Sequence, residues 1–114
     1  MPELYEIMKS LGDETRFKLI ELLLQHDYCV GALSRRLNLS ESAISQHLKI
    51  LRNTQLVKGE KRGYCTHYYV DRQMLQKVAH EIIVLSELEQ IKTECSKSGT
   101  KHHSCCRKGA EKHV

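Results

Sequence analysis

Val30 to Arg52 reads VGALSRRLNLSESAISQHLKILR. Two short apolar rhythms at helical spacing, Val30/Leu33/Leu37 and Ile44/Leu48/Leu51, flank a polar break at Asn38 to Glu41, the pattern of helix, turn, helix. Ser40 stands where its side-chain oxygen can accept a hydrogen bond from a free amide in the first turn of the second helix. The polar face of that helix carries Glu41, Ser42, Ser45, Gln46 and Lys49, with the short side chains near its N-terminus. Such a face suits the DNA major groove, where base edges present donors and acceptors and a recognition helix approaches with its N-terminal end. Amphipathic helix pairs also serve as plain packing elements, so periodicity alone leaves both uses open.

After Leu51 the period changes. LVKGEKRGYCTHYYV contains two extended segments, about Leu56 to Lys61 and Tyr64 to Val70, joined through Lys61, Arg62 and Gly63. A glycine with basic neighbours between β-prone runs is a hairpin signal. A helix pair followed by a basic hairpin predicts a mostly α winged helix-turn-helix with a β-hairpin wing. Arg62 at the tip is the expected contact to phosphate or the minor groove.

Upstream, Leu4, Ile7, Met8 and Leu11 form one helical stripe, predicting a first helix over residues 3–11. Asp13 is placed to cap a second helix, in which Phe17, Leu19, Ile20, Leu22, Leu23 and Leu24 form a nearly continuous apolar surface ending near Gln25. This helix is expected at the centre of the core, with His26 to Cys29 as a connection. From Asp71 the helical period resumes with Leu75, Val78, Ile82, Leu85 and Leu88. The first and last helices are each apolar on one side, and the helix-pair core does not need them to be complete. They are therefore expected to form a homodimer interface, although intramolecular packing would cover such a stripe equally well.

The chain has 114 residues, 40% of them hydrophobic, which fits one small domain whose limited core gains from dimerisation. Its net charge of +4 is unevenly spread. Met1 to Leu33 carries −3, Ser34 to His67 +5, Tyr68 to Ile91 −2 and Lys92 to Val114 +4. A basic middle between acidic flanks points to a localised polyanion footprint. No run of eighteen apolar residues and no signal-peptide pattern at MPELYEIMKS are present, so a soluble, cytoplasmic protein without membrane contact is expected.

Beyond Ile91 the periodicity stops. Residues 1–91 are expected to form the DNA-binding and dimerisation domain, and residues 92–114, KTECSKSGTKHHSCCRKGAEKHV, a flexible Cys/His-rich tail. Five cysteines without a secretory signal argue for free thiols, redox chemistry or metal binding over a disulfide framework. Soft thiolates at Cys95, Cys105 and Cys106 suit As(III), Cd(II) or Cu(I), and the mixture with His102 and His103 would also accept Zn(II). Cys65, on the second wing strand, is expected to be a small half-buried residue.

LGDETRFKLIELL (Leu11 to Leu23) and the run from Cys29 to Val70 closely resemble the ArsR/SmtB family of metal-responsive transcriptional repressors. The distinctive parts are the LGDETR opening, the recognition helix SESAISQHLKIL and the wing VKGEKRGY. The resemblance implies a homodimeric winged helix that binds an inverted-repeat operator in double-stranded DNA and leaves it when an inducer binds. It places Ser42, Ser45 and Gln46 at the bases and Arg62 in the wing, with Lys49 on the same helix face. Many arsenic, cadmium and lead sensors of the family carry ELCVCDL ahead of the recognition helix. Here the stretch is DYCVGAL, so Cys29 is kept and Gly31 replaces the second thiol. Zinc and cobalt sensors use Asp and His pairs along the last helix. Here Asp71 and His80 are present, but Leu75 and Ser86 stand where imidazoles are wanted. The tail cysteines resemble, with looser spacing, the three thiolates that some arsenite sensors collect near the end of the last helix.

The expected function is thus operator release on binding a metal or metalloid ion of the As(III), Cd(II) or Zn(II) class through cysteine ligands. Cys95, Cys105 and Cys106 are the main candidates, with Cys29, His102 and His103 beside them. A repressor answering to thiol oxidation or persulfidation, or to no metal at all, is the alternative. Enzyme activity is disfavoured, because no phosphate loop, paired catalytic carboxylates or nucleophile motif is present.

Overall fold

Short polar side chains set the helix boundaries in the computed structural model, which describes residues 2–91. Those residues form α1 (Leu4–Leu11), α2 (Glu14–Gln25), β1 (Tyr28–Cys29), α3 (Val30–Leu37), α4 (Glu41–Asn53), β2 (Val57–Arg62), β3 (Cys65–Val70) and α5 (Arg72–Ser86). Asp13 caps α2 by accepting from the Arg16 amide at 3.0 Å, and Ser40 caps α4 by accepting from the Ala43 amide at 3.1 Å. Asp71 does the same for α5, accepting from the Met74 amide at 3.2 Å. Between α3 and α4, Asn38 takes a left-handed conformation with φ 56° and ψ 47°, one of the few side chains suited to it. The Leu39 amide then closes on Ser34 O at 3.1 Å, which ends α3 and turns the chain into α4.

The sheet is antiparallel in the order β1-β3-β2. The wing hairpin pairs Val57 with Val70 and Arg62 with Cys65, and turns at Gly63, whose φ of 65° favours glycine. His26 to Cys29 is not wholly a connection: Tyr28 pairs with Tyr68 and Cys29 with His67, so a short third strand ties the helix pair to the wing. The strand is only two residues long, too short to show an alternating pattern in the sequence.

The core is built from Leu19, Ile20 and Leu23 of α2, Leu33 of α3, and Ile44, Leu48 and Leu51 of α4, closed by Leu56, Val57 and Val70. The outer helices belong to it as well, which corrects the expectation that the core is complete without them. Ile7 of α1 is fully buried, and Met74 and Val78 of α5 are buried as well. Conversely, Phe17 is half exposed, since helical spacing sets it to one side of the face made by Leu19, Ile20 and Leu23. Ser10 and Thr54, both buried, bring their hydroxyls within 3.3 Å and join α1 to the end of α4. Each also donates within its own helix, to Ile7 O and Leu51 O.

A compact body runs through Val84, and a second unit begins at Leu85. In the body, Tyr5 and Met8 of α1 and Ile82, Ile83 and Val84 of α5 are exposed apolar side chains. In the second unit, Leu85, Leu88 and Ile91 are exposed. Residues 92–114, and with them Cys95, His102, His103, Cys105 and Cys106, lie outside the described residues.

Candidate nucleic-acid interface

Packing of Ile44, Leu48 and Leu51 inward turns the opposite face of α4 to solvent. Ser42, Ser45, Gln46 and Lys49 are all exposed on it. The intervening His47 points the other way and is only partly exposed. Its Nδ1 lies 3.3 Å from the Arg16 guanidinium and 3.9 Å from the Asp13 carboxylate. Arg16 in turn donates from Nε to Ser10 O at 2.7 Å. The start of α2 and the end of α1 therefore hold the inner side of the recognition helix while its outer side stays free.

Between α4 and β2 runs an open groove of about 700 Å³, lined by Ser45, Lys49, Arg52, Lys58, Gly59 and Tyr68 among others. Three cations thus gather at one groove, a positively charged wall of the kind that suits phosphate. Arg52 spreads over the Tyr68 ring, 5.8 Å from its centroid, which fixes the guanidinium beside the groove. Lys58 is shared with Asp71 at 3.3 Å. Arg52 and Lys58 are absent from the residues picked out in the sequence. The spacing of Lys49 and Arg52 puts them on one helix edge, but only the fold brings Lys58 alongside.

Arg62 sits at the end of β2, and its guanidinium is engaged by two carboxylates, Asp27 and Glu60. Glu60 is the larger influence raising its pKa, with Asp27 beside it. Burial opposes ionisation of Asp27, but its own backbone amide and Arg62 outweigh that effect and hold the carboxyl below its ordinary range. Both carboxylates sit on Nη2, so a phosphate meeting Arg62 would share its charge with them. Lys61 has no ion-pair partner among the described residues, and Tyr64 at the turn is fully exposed.

Of the candidate ligands, Cys29 is a free, half-buried thiol that precedes α3 and makes no side-chain capping bond. A Cβ at Gly31 would lie 3.5 Å from Glu41 Oε2 and 3.6 Å from an Arg35 nitrogen, so the family's second thiol position faces one acidic and one basic side chain. Both Asp71 oxygens are in use, one by the Met74 amide and one by Lys58, and together these hold its carboxyl below the ordinary range. His80 is exposed. Cys65 is exposed too, not half-buried, because its strand position points away from the core. Among the described residues no three His, Cys, Asp or Glu side chains are already gathered on one point, and no helix is long and apolar enough to cross a membrane.

Residues 13–58 match the family described as bacterial regulatory protein, arsR family. The chain is 30% identical over 70 residues to the transcriptional repressor SdpR of Bacillus subtilis (strain 168), spanning 61% of this chain and 78% of that one. It is 26% identical over 88 residues to the arsenical resistance operon repressor of Staphylococcus xylosus, spanning 77% of this chain and 85% of that repressor. Among solved structures, an ArsR-like transcriptional regulator from Rhodococcus sp. RHA1 superposes with a TM-score of 0.69 at 30% identity, over 73% of this chain and 78% of that one. These similar proteins are regulators of transcription, not enzymes. With a capped recognition helix beside a basic groove and an antiparallel wing, this chain belongs to the ArsR family of winged helix-turn-helix transcriptional regulators.

Proposed function

We propose that this regulator is a cytoplasmic homodimeric repressor that binds an inverted-repeat operator and leaves it when a soft metal or metalloid ion binds. The observation that carries the DNA half is the outer face of α4. Ser42, Ser45, Gln46 and Lys49 stand exposed on a helix whose N-terminus is capped by Ser40, the geometry that reads base edges. Dimerisation is supported by the exposed apolar side chains on α1 and α5, Tyr5 at 64% and Ile82 at 40% exposure among them. Two recognition helices read as a pair require such a partner.

The inducer half rests on ligand chemistry. Cys95, Cys105 and Cys106 supply three thiolates in one short segment, with His102 and His103 beside them, a donor set for As(III), Cd(II) or Zn(II). The similarity to an arsenical resistance operon repressor supports the same class. The test is a panel of these ions titrated into the reduced protein on its own promoter DNA. Release by As(III) or Cd(II) under reducing conditions supports the reading. Release only by oxidants or polysulfide would replace it with a thiol-redox sensor.

A further inference from the structure

Between α1 and the end of α4 lies a cavity of about 380 Å³, within the range of small-molecule sites, about 300 to 1,000 Å³. Its most deeply buried lining residues are Ser10 and Thr54, 3% and 9% exposed. A hydroxyl carries one proton. Ser10 donates its proton to Ile7 O at 2.7 Å and Thr54 its own to Leu51 O at 3.1 Å. The two oxygens, 3.3 Å apart, therefore meet with lone pairs only. Two buried acceptors side by side call for a donor from the cavity.

The rest of the lining carries charge of both signs. Half-buried Arg16 uses Nε on Ser10 O and Nη1 on His47 Nδ1, which leaves one N–H on Nη1 and both on Nη2 to take a carboxylate. Glu6 and Lys9 stand exposed at the rim, and neither has an ion-pair partner among the described residues. Ile50, 40% exposed, supplies an apolar wall.

We propose that this cavity binds a small zwitterion, a free α-amino acid with an apolar side chain. Its ammonium donates to Ser10 Oγ and Thr54 Oγ1 and faces the Glu6 carboxylate, its carboxylate lies against Arg16 and Lys9, and its side chain covers Ile50. A water molecule would satisfy the two hydroxyl oxygens but has no use for the charges or the apolar wall. A simple anion would leave the hydroxyl oxygens without a donor, and a simple amine would leave the two cations unmet. Helical spacing sets Glu6 and Ser10 on a different side of α1 from Tyr5 and Met8, so pairing through those apolar residues leaves the cavity open. The bound carboxylate would compete with His47 for Arg16 and loosen the hold of α2 on the recognition helix. This site is separate from the proposed metal response and does not rest on it.

The test titrates the full nitrogen-15-labelled chain with L-leucine, with 4-methylpentanoate, which lacks the ammonium, and with 3-methylbutylamine, which lacks the carboxylate. Leucine should give saturable shifts of the Arg16 Nε resonance and of the Ser10 and Thr54 amides, and each half-molecule should bind about tenfold more weakly. Thr54→Val should weaken leucine binding by about the same factor. Glu6→Gln, at an exposed position that leaves the fold intact by circular dichroism, should weaken leucine and the amine but not the acid. Equal binding of leucine and 4-methylpentanoate would reveal an anion site, and equal binding of leucine and the amine a cation site. Either result overturns the assignment. So does the lack of any saturable shift with leucine, methionine and phenylalanine at millimolar concentration, which would leave a cavity filled by water alone. Leucine should also lower affinity for promoter DNA, and that DNA should lower leucine affinity by the same factor. Unchanged DNA affinity at saturating leucine would overturn the coupling through Arg16.

Discussion

The Arg16 guanidinium lies 3.3 Å from Nδ1 of His47, so a side chain at the start of α2 touches the inner face of the recognition helix. The same guanidinium is fixed by Ser10 O at 2.7 Å. A planar fork can hold both partners at once, whereas an ammonium on a flexible stem cannot. Arg16→Lys should therefore lower stability in urea by about 1 to 2 kcal/mol. It should also weaken operator binding more than random-DNA binding, because α4 loses its orientation and not its charge. Unchanged operator affinity at reduced stability would leave Arg16 a purely structural residue.

Asp13 and Asp71 connect capping to acid stability. The Arg16 amide, and after it the nearby Arg16 and His47 charges, hold the Asp13 carboxyl below its ordinary value. The Met74 amide, followed by Lys58, does so for Asp71. A carboxyl depressed in the folded state binds fewer protons there than in the unfolded chain. Its contribution is therefore complete above the unfolded value near 3.9 and is lost as pH falls through the lower folded value. Urea midpoints should drop below about pH 4, and Asp13→Asn or Asp71→Asn should flatten that drop. A midpoint in Asp13→Asn that falls as steeply as in the parent would show that the cap is not what acid removes.

Two glycines should answer alanine with opposite signs. Gly31 is helical with ordinary space around a Cβ, so Gly31→Ala should stabilise by up to about 1 kcal/mol. At Gly59 a Cβ would come within 3.0 Å of Thr66 Cγ2 and 3.1 Å of the Tyr68 ring. Displacing Tyr68 also disturbs the ring beneath Arg52. Gly59→Ala should cost about 1 to 3 kcal/mol, and thermal unfolding of the pair measures both.

Where a residue type carries its own geometry, the fold was legible in the chain. Asp13 and Ser40 cap the helices they were expected to cap, and Gly63 turns the hairpin. The outward face of α4 followed from the spacing of Ile44, Leu48 and Leu51. What stayed hidden depends on contacts between distant segments. Tyr28 and Cys29 become a strand only because β3 is there to pair with them. Lys58 joins the Lys49 and Arg52 groove only once the hairpin folds back, and Arg62 meets Asp27 across 35 positions of sequence.

The α5 stripe likewise divides into two roles that periodicity cannot separate. Val78 is 3% exposed inside the body, while Ile82 is 40% exposed. A charge at each position should therefore give different failures. Val78→Glu places an unpaired carboxylate in the core and should unfold the chain. Ile82→Glu should keep the helical circular dichroism, sediment as a monomer and bind operator poorly, since half-sites are no longer read together. A folded Ile82→Glu protein that still sediments as a dimer would remove α5 from the interface.

Gln46 and Arg62 should leave different marks on DNA binding. Gln46 faces outward near the start of α4, so Gln46→Ala should lose roughly 1 to 3 kcal/mol on operator and relax sequence preference, with little change on random DNA. Arg62→Ala should weaken both DNAs alike and make the salt dependence shallower by at most about one phosphate contact. The carboxylates on Arg62 add a further consequence. In the free protein Asp27 and Glu60 already engage Nη2 of its guanidinium, so part of its attraction for phosphate is offset before contact. Asp27→Asn removes the charge and leaves the side chain's shape. It should therefore tighten binding to random and operator DNA together, and steepen the plot of affinity against salt. The double variant Asp27→Asn/Arg62→Ala separates the two side chains. If Asp27 acts through Arg62, the gain disappears in the double variant. If the gain persists, Asp27 merely adds repulsion at the DNA surface, and the Asp27–Arg62 pair has no part in setting operator affinity.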